Sequence, residues 1–146
     1  MMNIHYVAGI FDGEGSIGIH KRYYRESSRG FLYYPKVRLG MTGEGTKIVT
    51  SLRKQFGGNI SWRIYKNTNK DLLTWTITSR KDVQGFLRQV IPFLIVKKAQ
   101  SVVVMKFFEG GTYHQKDWKS NRMTNREYKR RGLLCEKVKL LNKKCK

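Results

Sequence analysis

Several residue types are scarce in this sequence, and each shortage excludes a class of protein. Cysteine occurs twice, as Cys135 and Cys145, both in a lysine-rich C-terminal stretch. Neither has the Cys-x-x-Cys or Cys/His spacing of a zinc site, so both read as reduced, incidental thiols. The three histidines, His5, His20 and His114, are too scattered to form a metal site or an HNH-type nuclease motif. No apolar stretch approaches the roughly 18 residues that a membrane-spanning helix needs. The first 13 residues lack the basic segment, long apolar core and small-residue cleavage site of a secretory signal, which predicts an intracellular protein.

Acidic residues are the most telling shortage: 10 of them stand against 30 lysines and arginines, for a formal net charge of +20. Such a charge opposes compaction unless a polyanion neutralises it, and nucleic acid is the commonest polyanion partner. A membrane surface is the weaker alternative, because the basic residues are spread among strand-like segments. With 40% hydrophobic and 12% aromatic residues, a packed core is available. A length of 146 residues suits one domain.

The periodicity alternates between two kinds of element. In 4–11, Val7 and Phe11 are spaced by four, as are Gly9 and Gly13, which predicts a buried helix with a glycine-lined face. From Ser16, Ile17 and Ile19 alternate with polar or small residues at the period of a half-buried strand. A polar, basic loop over 23–30 returns the chain into a second strand, where Val37, Leu39 and Met41 alternate with Lys36, Arg38 and Gly40. Residues 46–56 carry Ile48, Val49, Leu52 and Phe56 at helical spacing, closed by Gly57-Gly58. A second hairpin follows: Ile60, Trp62 and Ile64 on one strand, a turn at 67–70, then Leu73, Trp75 and Ile77. Helices are predicted over 81–90, over 96–108 with a stop at Gly110-Gly111, and over 124–141.

This order predicts an α+β domain, αββαββα, in which helices cover one face of a four-stranded antiparallel sheet. The domain spans 1–146, with its core at about 4–110 and a basic helical extension at about 119–146. Trp62 and Trp75 fall on the helix-facing side and are expected to pack in the core. The opposite face carries Ser16, His20, Arg22, Lys36, Arg38, Asn59, Ser61, Arg63, Thr74 and Thr76, nearly all hydrogen-bonding types and none acidic. An ordinary solvated face mixes both signs, so this one points to a DNA surface. Arg22, Arg38 and Arg63 are the natural guanine readers, with Asn59, Ser61, Thr74 and Thr76 for looser or water-mediated contacts.

The stretch Tyr6-Val7-Ala8-Gly9-Ile10-Phe11-Asp12-Gly13-Glu14-Gly15-Ser16-Ile17 resembles the signature of the LAGLIDADG homing endonucleases. Ala8, Gly9, Asp12 and Gly15 are identical to it, Gly13 stands at its second alanine, and Glu14 replaces its final aspartate with another carboxylate. The resemblance extends through Phe56-Gly57-Gly58 and Pro92-Phe93-Leu94-Ile95-Val96-Lys97-Lys98-Ala99-Gln100, covering roughly 6–109. It implies site-specific double-strand DNA cleavage at a long pseudo-palindromic target. The expected ion is Mg²⁺, with Mn²⁺ as a substitute and no small-molecule cofactor. The family's fold sets two motif helices side by side, so a chain with one motif is expected to form a homodimer across Gly9 and Gly13. Such proteins belong to mobile introns or inteins; the length favours an intron-encoded protein, in the cytoplasm of a prokaryote or in a mitochondrion or chloroplast.

The same resemblance assigns roles. Glu14, with its symmetry mate, is expected to hold divalent cations that activate water and stabilise the leaving 3′ oxygen, with the Gly15 carbonyl as a further ligand. Lys97 matches a basic residue near the scissile phosphates, with Lys98 as its neighbour in sequence. Asp12 reads as a structural carboxylate, and the acidic spacing does not fit an EF-hand. A polar residue that positions water falls at Gly43 here, which leaves Thr42, Glu44 or Lys47 as substitutes; Glu44 equally suits the start of the following helix. A non-cleaving intron splicing cofactor or DNA-binding regulator is the alternative function, although it needs neither Glu14 nor Lys97. A basic ribosome-associated protein would explain the charge but not the motif.

Overall fold

The computed structural model describes residues 1–25, 29–65, 70–109 and 123–144. The turn at 67–69, Gly110-Gly111, His114 and Cys145 lie outside them. The helices are α1 (Ile4–Glu14), α2 (Thr46–Phe56), α3 (Arg80–Val90), α4 (Lys98–Lys106) and α5 (Asn125–Lys144), and the strands β1 (Gly15–Tyr23), β2 (Phe31–Thr42), β3 (Asn59–Tyr65) and β4 (Lys70–Ile77). Short 3-10 turns at Gly43–Gly45 and Ile91–Phe93 precede α2 and α4. The strands form one antiparallel sheet in the order β1-β2-β4-β3.

Local chemistry sets the element ends. Asn3 caps α1 by accepting from the His5 amide, and Ser79 caps α3 by accepting from the Asp82 amide. Gly57 and Gly58, at φ 73° and 87°, end α2 in backbone that favours glycine. At Gly58 a Cβ would sit 2.7 Å from the Thr76 carbonyl, so the turn presses directly on β4. Trp75 locks it by donating from Nε1 to the Gly57 carbonyl at 2.7 Å. Around Trp75, the rings of Phe11, Phe56 and Phe86 join α1, α2 and α3 to the sheet in one aromatic cluster.

Strand β2 begins at Phe31, ahead of the expected alternation, and runs through Pro35. A proline normally costs a strand one ladder bond. Here Pro35 pairs with Ile19, whose carbonyl points away from β2 to accept from Cys135. The proline nitrogen therefore points to the other side, where β4 has already ended opposite Val37. No ladder bond is lost.

Helix α5 covers the outer edge of β1. The Cys135 Sγ donates to the Ile19 carbonyl at 3.2 Å and the Asn142 Nδ2 to the Ile17 carbonyl at 3.4 Å, partnering two outward carbonyls of an edge strand. At its start, Glu127 accepts from Arg130 and Arg131 at 2.7 Å each. Arg130 also donates to the Lys106 and Phe107 carbonyls, placing a cation on the C-terminus of α4. The Arg130 hydrogen bond, reinforced by Arg131, holds the Glu127 carboxyl at about 2. A depressed carboxyl contributes stability that is complete above its ordinary value and is lost as pH falls through the lowered one. Urea unfolding between about pH 4.5 and pH 2 should therefore show a loss of stability that is shallower in Glu127→Gln. Equal slopes in the two proteins would mean that the contact does not anchor α5.

The position of Trp62 corrects one sequence expectation. It lies on the helix-facing side, paired with Leu73, yet it is 62% exposed, and Ile64 beyond it is 60% exposed. The β3–β4 hairpin outruns the helical layer, so alternation placed Trp62 on the right face but not in the core. Trp75, in contrast, is fully buried.

Candidate nucleic-acid interface and catalytic site

One side of α1 is buried through Val7, Ala8 and Phe11. The other side bears Gly9 and Gly13, where a Cβ would meet no atom within 4 Å. Beside this bare strip, Tyr6 is 54%, Ile95 85% and Val96 50% exposed. The His5 ring rests 4.1 Å from that of Phe93, and the Asp12 side chain accepts from the Ile95 amide at 2.7 Å and the Lys97 amide at 2.9 Å. The loop 93–97 is thus fastened along α1, forming an apolar rim beside the glycines.

At the end of α1 the chain passes directly into β1. Gly15 closes the helix by donating its amide to the Phe11 carbonyl. A Cβ there would lie 2.3 Å from the Phe11 ring and 2.8 Å from its Cα, so only glycine fits. This tight junction leaves the Glu14 side chain exposed at the head of the sheet's polar face.

The register assembles that face in rows. Ser16, Arg38, Thr76 and Asn59 form one, Gly40, Thr74 and Ser61 the next, and Thr42, Leu72 and Arg63 a third. Glu14 shares a single groove with Ser16 of β1, Lys36 and Arg38 of β2, Ser61 and Arg63 of β3, and Thr74 and Thr76 of β4. Asn59 sits on the same face outside this groove. His20 and Arg22 lie farther along β1, opposite Tyr34 and Leu32. Burial and the cations Lys36, Arg38 and Lys139 lower the His20 pKa, which favours a neutral ring able to both donate and accept. Gly40 and Leu72 also line the groove and were missing from the sequence prediction, which admitted only polar candidates.

Lys97 stands at the start of α4, and its ammonium donates to the Asp12 carbonyl two residues before Glu14. This geometry separates it from Lys98, which is exposed on α4. Asp12 is a structural clamp, accepting two amides from a segment more than 80 residues away in sequence. Gly43 has φ 57°, a conformation unfavourable to side chains. Glu44 and Lys47 pair with each other on the surface, Thr42 lies on the groove-side row, and none of these three lines the groove with Glu14.

The Glu14 carboxylate makes no hydrogen bond or ion pair among the described residues, and no three acidic, histidine or cysteine side chains gather there to hold a metal ion. Glu14 offers an exposed carboxylate next in sequence to the Gly15 backbone. A second copy across the glycine strip and phosphate oxygens from a nucleic acid would complete an all-oxygen set, which fits Mg²⁺ or Mn²⁺.

Solved structures with the same architecture include the homing endonuclease I-CvuI in complex with the I-CreI target, with a TM-score of 0.74 and 18% identity over 94% of this chain and 80% of that one. The archaeal intron-encoded homing endonuclease I-Vdi141I, complexed with DNA, has a TM-score of 0.72 and 17% identity over 94% and 82%. I-SmaMI, bound to uncleaved DNA in the presence of calcium ions, has a TM-score of 0.72 and 20% identity over 94% of this chain and 45% of that one. No curated protein sequence matches the chain. The LAGLIDADG endonuclease family profile matches residues 7–109, from the buried face of α1 to the turn after α4. The chain belongs to the LAGLIDADG endonuclease family and shares the fold of these solved homing endonucleases.

Proposed function

We propose that the protein is a homodimeric homing endonuclease that cuts both strands of a long, nearly palindromic double-stranded DNA site in the presence of a divalent metal. The observation that carries this reading is the free Glu14 carboxylate at the head of a groove otherwise lined by cations, hydroxyls, one glycine and one leucine. I-CvuI was solved with a DNA target in the presence of Mg, and I-SmaMI with DNA and calcium ions. The match covers less than half of I-SmaMI, a chain long enough for two such units, and this supports pairing of two copies of the present unit.

In this dimer the bare strips of two α1 helices pack closely, with Tyr6, Ile95 and Val96 forming an apolar seal. Each sheet lies in the major groove of one half-site, where base pairs are distinguishable. Glu14 and the Gly15 carbonyl would hold the divalent ion, which when bound would supply an activated water and positive charge for the leaving 3′ oxygen. Asp12 keeps the backbone of Lys97 against α1, so that its ammonium lies at the reacting end and offsets charge developing on the phosphate. Arg38 and Arg63 reach guanines, while Ser16, Lys36, Ser61, Thr74 and Thr76 complete the contacts in the groove. His20, Arg22 and Asn59 extend them outward.

Selection of cleaved sites from a randomised duplex library with Mg²⁺ tests the proposal directly. Tight binding of a selected duplex without cleavage in either Mg²⁺ or Mn²⁺ would replace it with the non-cleaving splicing-cofactor reading. Affinity should also weaken steeply with salt, by a log–log slope of about −6 or steeper for the dimer, since each phosphate contact adds about 0.9. A slope near zero would assign the charge to another role.

A further inference from the structure

We propose that Leu72 reads the 5-methyl group of a thymine in the inner part of each half-site, with Thr74 bonding the O4 of the same base. The proposal rests on the DNA reading above and deepens it. Leu72 breaks the pattern of its strand: Leu73, Trp75 and Ile77 face the helices, whereas Leu72 faces the groove between Thr42 and Arg63. Among the described residues it is the one apolar side chain lining that groove. A half-buried leucine on a surface of hydrogen-bonding groups has no polar contact to offer, so its use there is to cover an apolar atom of the partner.

Gly40 lets the two groups come together. A Cβ at Gly40 would stand 3.2 Å from Leu72 Cδ1 and 3.4 Å from Thr74 Oγ1. Without it, the Leu72 methyl and the Thr74 hydroxyl close over this point of β2, so that an apolar group and a hydrogen-bonding group stand side by side on the groove face. In the major groove only thymine presents a methyl group next to a hydrogen-bond acceptor, the C5-methyl beside O4. Cytosine lacks the methyl, and adenine and guanine present no apolar group at their major-groove edge. Because Glu14 lines the same groove, the base lies on the cleavage side of the half-site.

The test is binding of the full-length protein to a synthetic duplex of its selected site, without Mg²⁺, in which each thymine is replaced in turn by deoxyuridine. That replacement removes the methyl and keeps O4. Covering one methyl predicts about fourfold weaker binding per half-site and about fifteenfold for both. In Leu72→Ala the penalty at that position should vanish while the salt slope stays at the wild-type value, which shows that the variant still folds and docks. Tight binding with no thymine-to-uracil penalty at any inner position, or an undiminished penalty in Leu72→Ala, overturns the methyl contact alone. Absence of salt-dependent binding to any duplex overturns the DNA reading beneath it.

Discussion

Glu14→Gln should reduce cleavage by about a thousandfold or more while leaving the fold intact. The amide keeps almost the same size, and the Glu14 side chain has no partner among the described residues whose loss could disturb α1. What disappears is the charge that retains the cation. Binding to the same duplex without metal should be unchanged or tighter, because two negative charges per dimer no longer face the phosphates. Lys97→Met should slow cutting less, since it removes electrostatic help and leaves both metal ligands in place. Nicking and linearisation of a supercoiled plasmid carrying the selected site reads both cleavage rates, and a gel shift without metal reads the affinity. Wild-type cleavage by Glu14→Gln would show that the chemistry lies elsewhere.

Gly13→Leu should convert the dimer into a monomer and lower affinity for the full site by about 10²- to 10⁴-fold, because two linked half-site contacts become independent. Within one subunit the new side chain meets open space, so the thermal midpoint of the isolated chain should scarcely move. Only a partner helix would collide with it. Sedimentation velocity with and without DNA separates these effects; a variant that still sediments as a dimer would place the interface on another surface.

The sequence made the helix ends and strand faces legible wherever short-range chemistry decides them. Gly57-Gly58 marks the end of α2, and Ile17, Val37, Trp75 and Ile77 declare the buried face by alternation alone. Trp62 shows where this stops: a period of two assigns a face, while the extent of the helical cover depends on how α2 and α3 are placed over the sheet. The early start of β2 was hidden because Phe31 to Pro35 neither alternates nor avoids proline, and the carbonyl that makes Pro35 tolerable belongs to a pairing with β1.

For the proposed site, the motif names Glu14 and Gly15 from contiguous residues alone, and the structure sets Glu14 at the head of the groove. The Asp12 clamp was not legible, because its partners at 95 and 97 are adjacent only after folding. It explains why Lys97, rather than Lys98, meets the end of α1. Leu72 escaped because a leucine in an apolar-rich strand has no local mark of facing the groove; the pairing with Arg63 supplies it.

The two-faced strands also bear on how such a protein acquires a new target. In β1, β2 and β4, Ile17, Ile19, Val37, Leu39, Trp75 and Ile77 are committed to the core, whereas Ser16, Arg38, Gly40, Leu72, Thr74 and Thr76, with 59, 61 and 63 of β3, meet the groove side. Changes at the second set away from special contacts cost about 0.5 kcal/mol or less in stability, so recognition is free to drift while the interior stays fixed. Under the proposed function, a change of DNA target would therefore proceed through folded intermediates. Gly15 stands outside this freedom, because it closes the junction from which every base-facing position is measured.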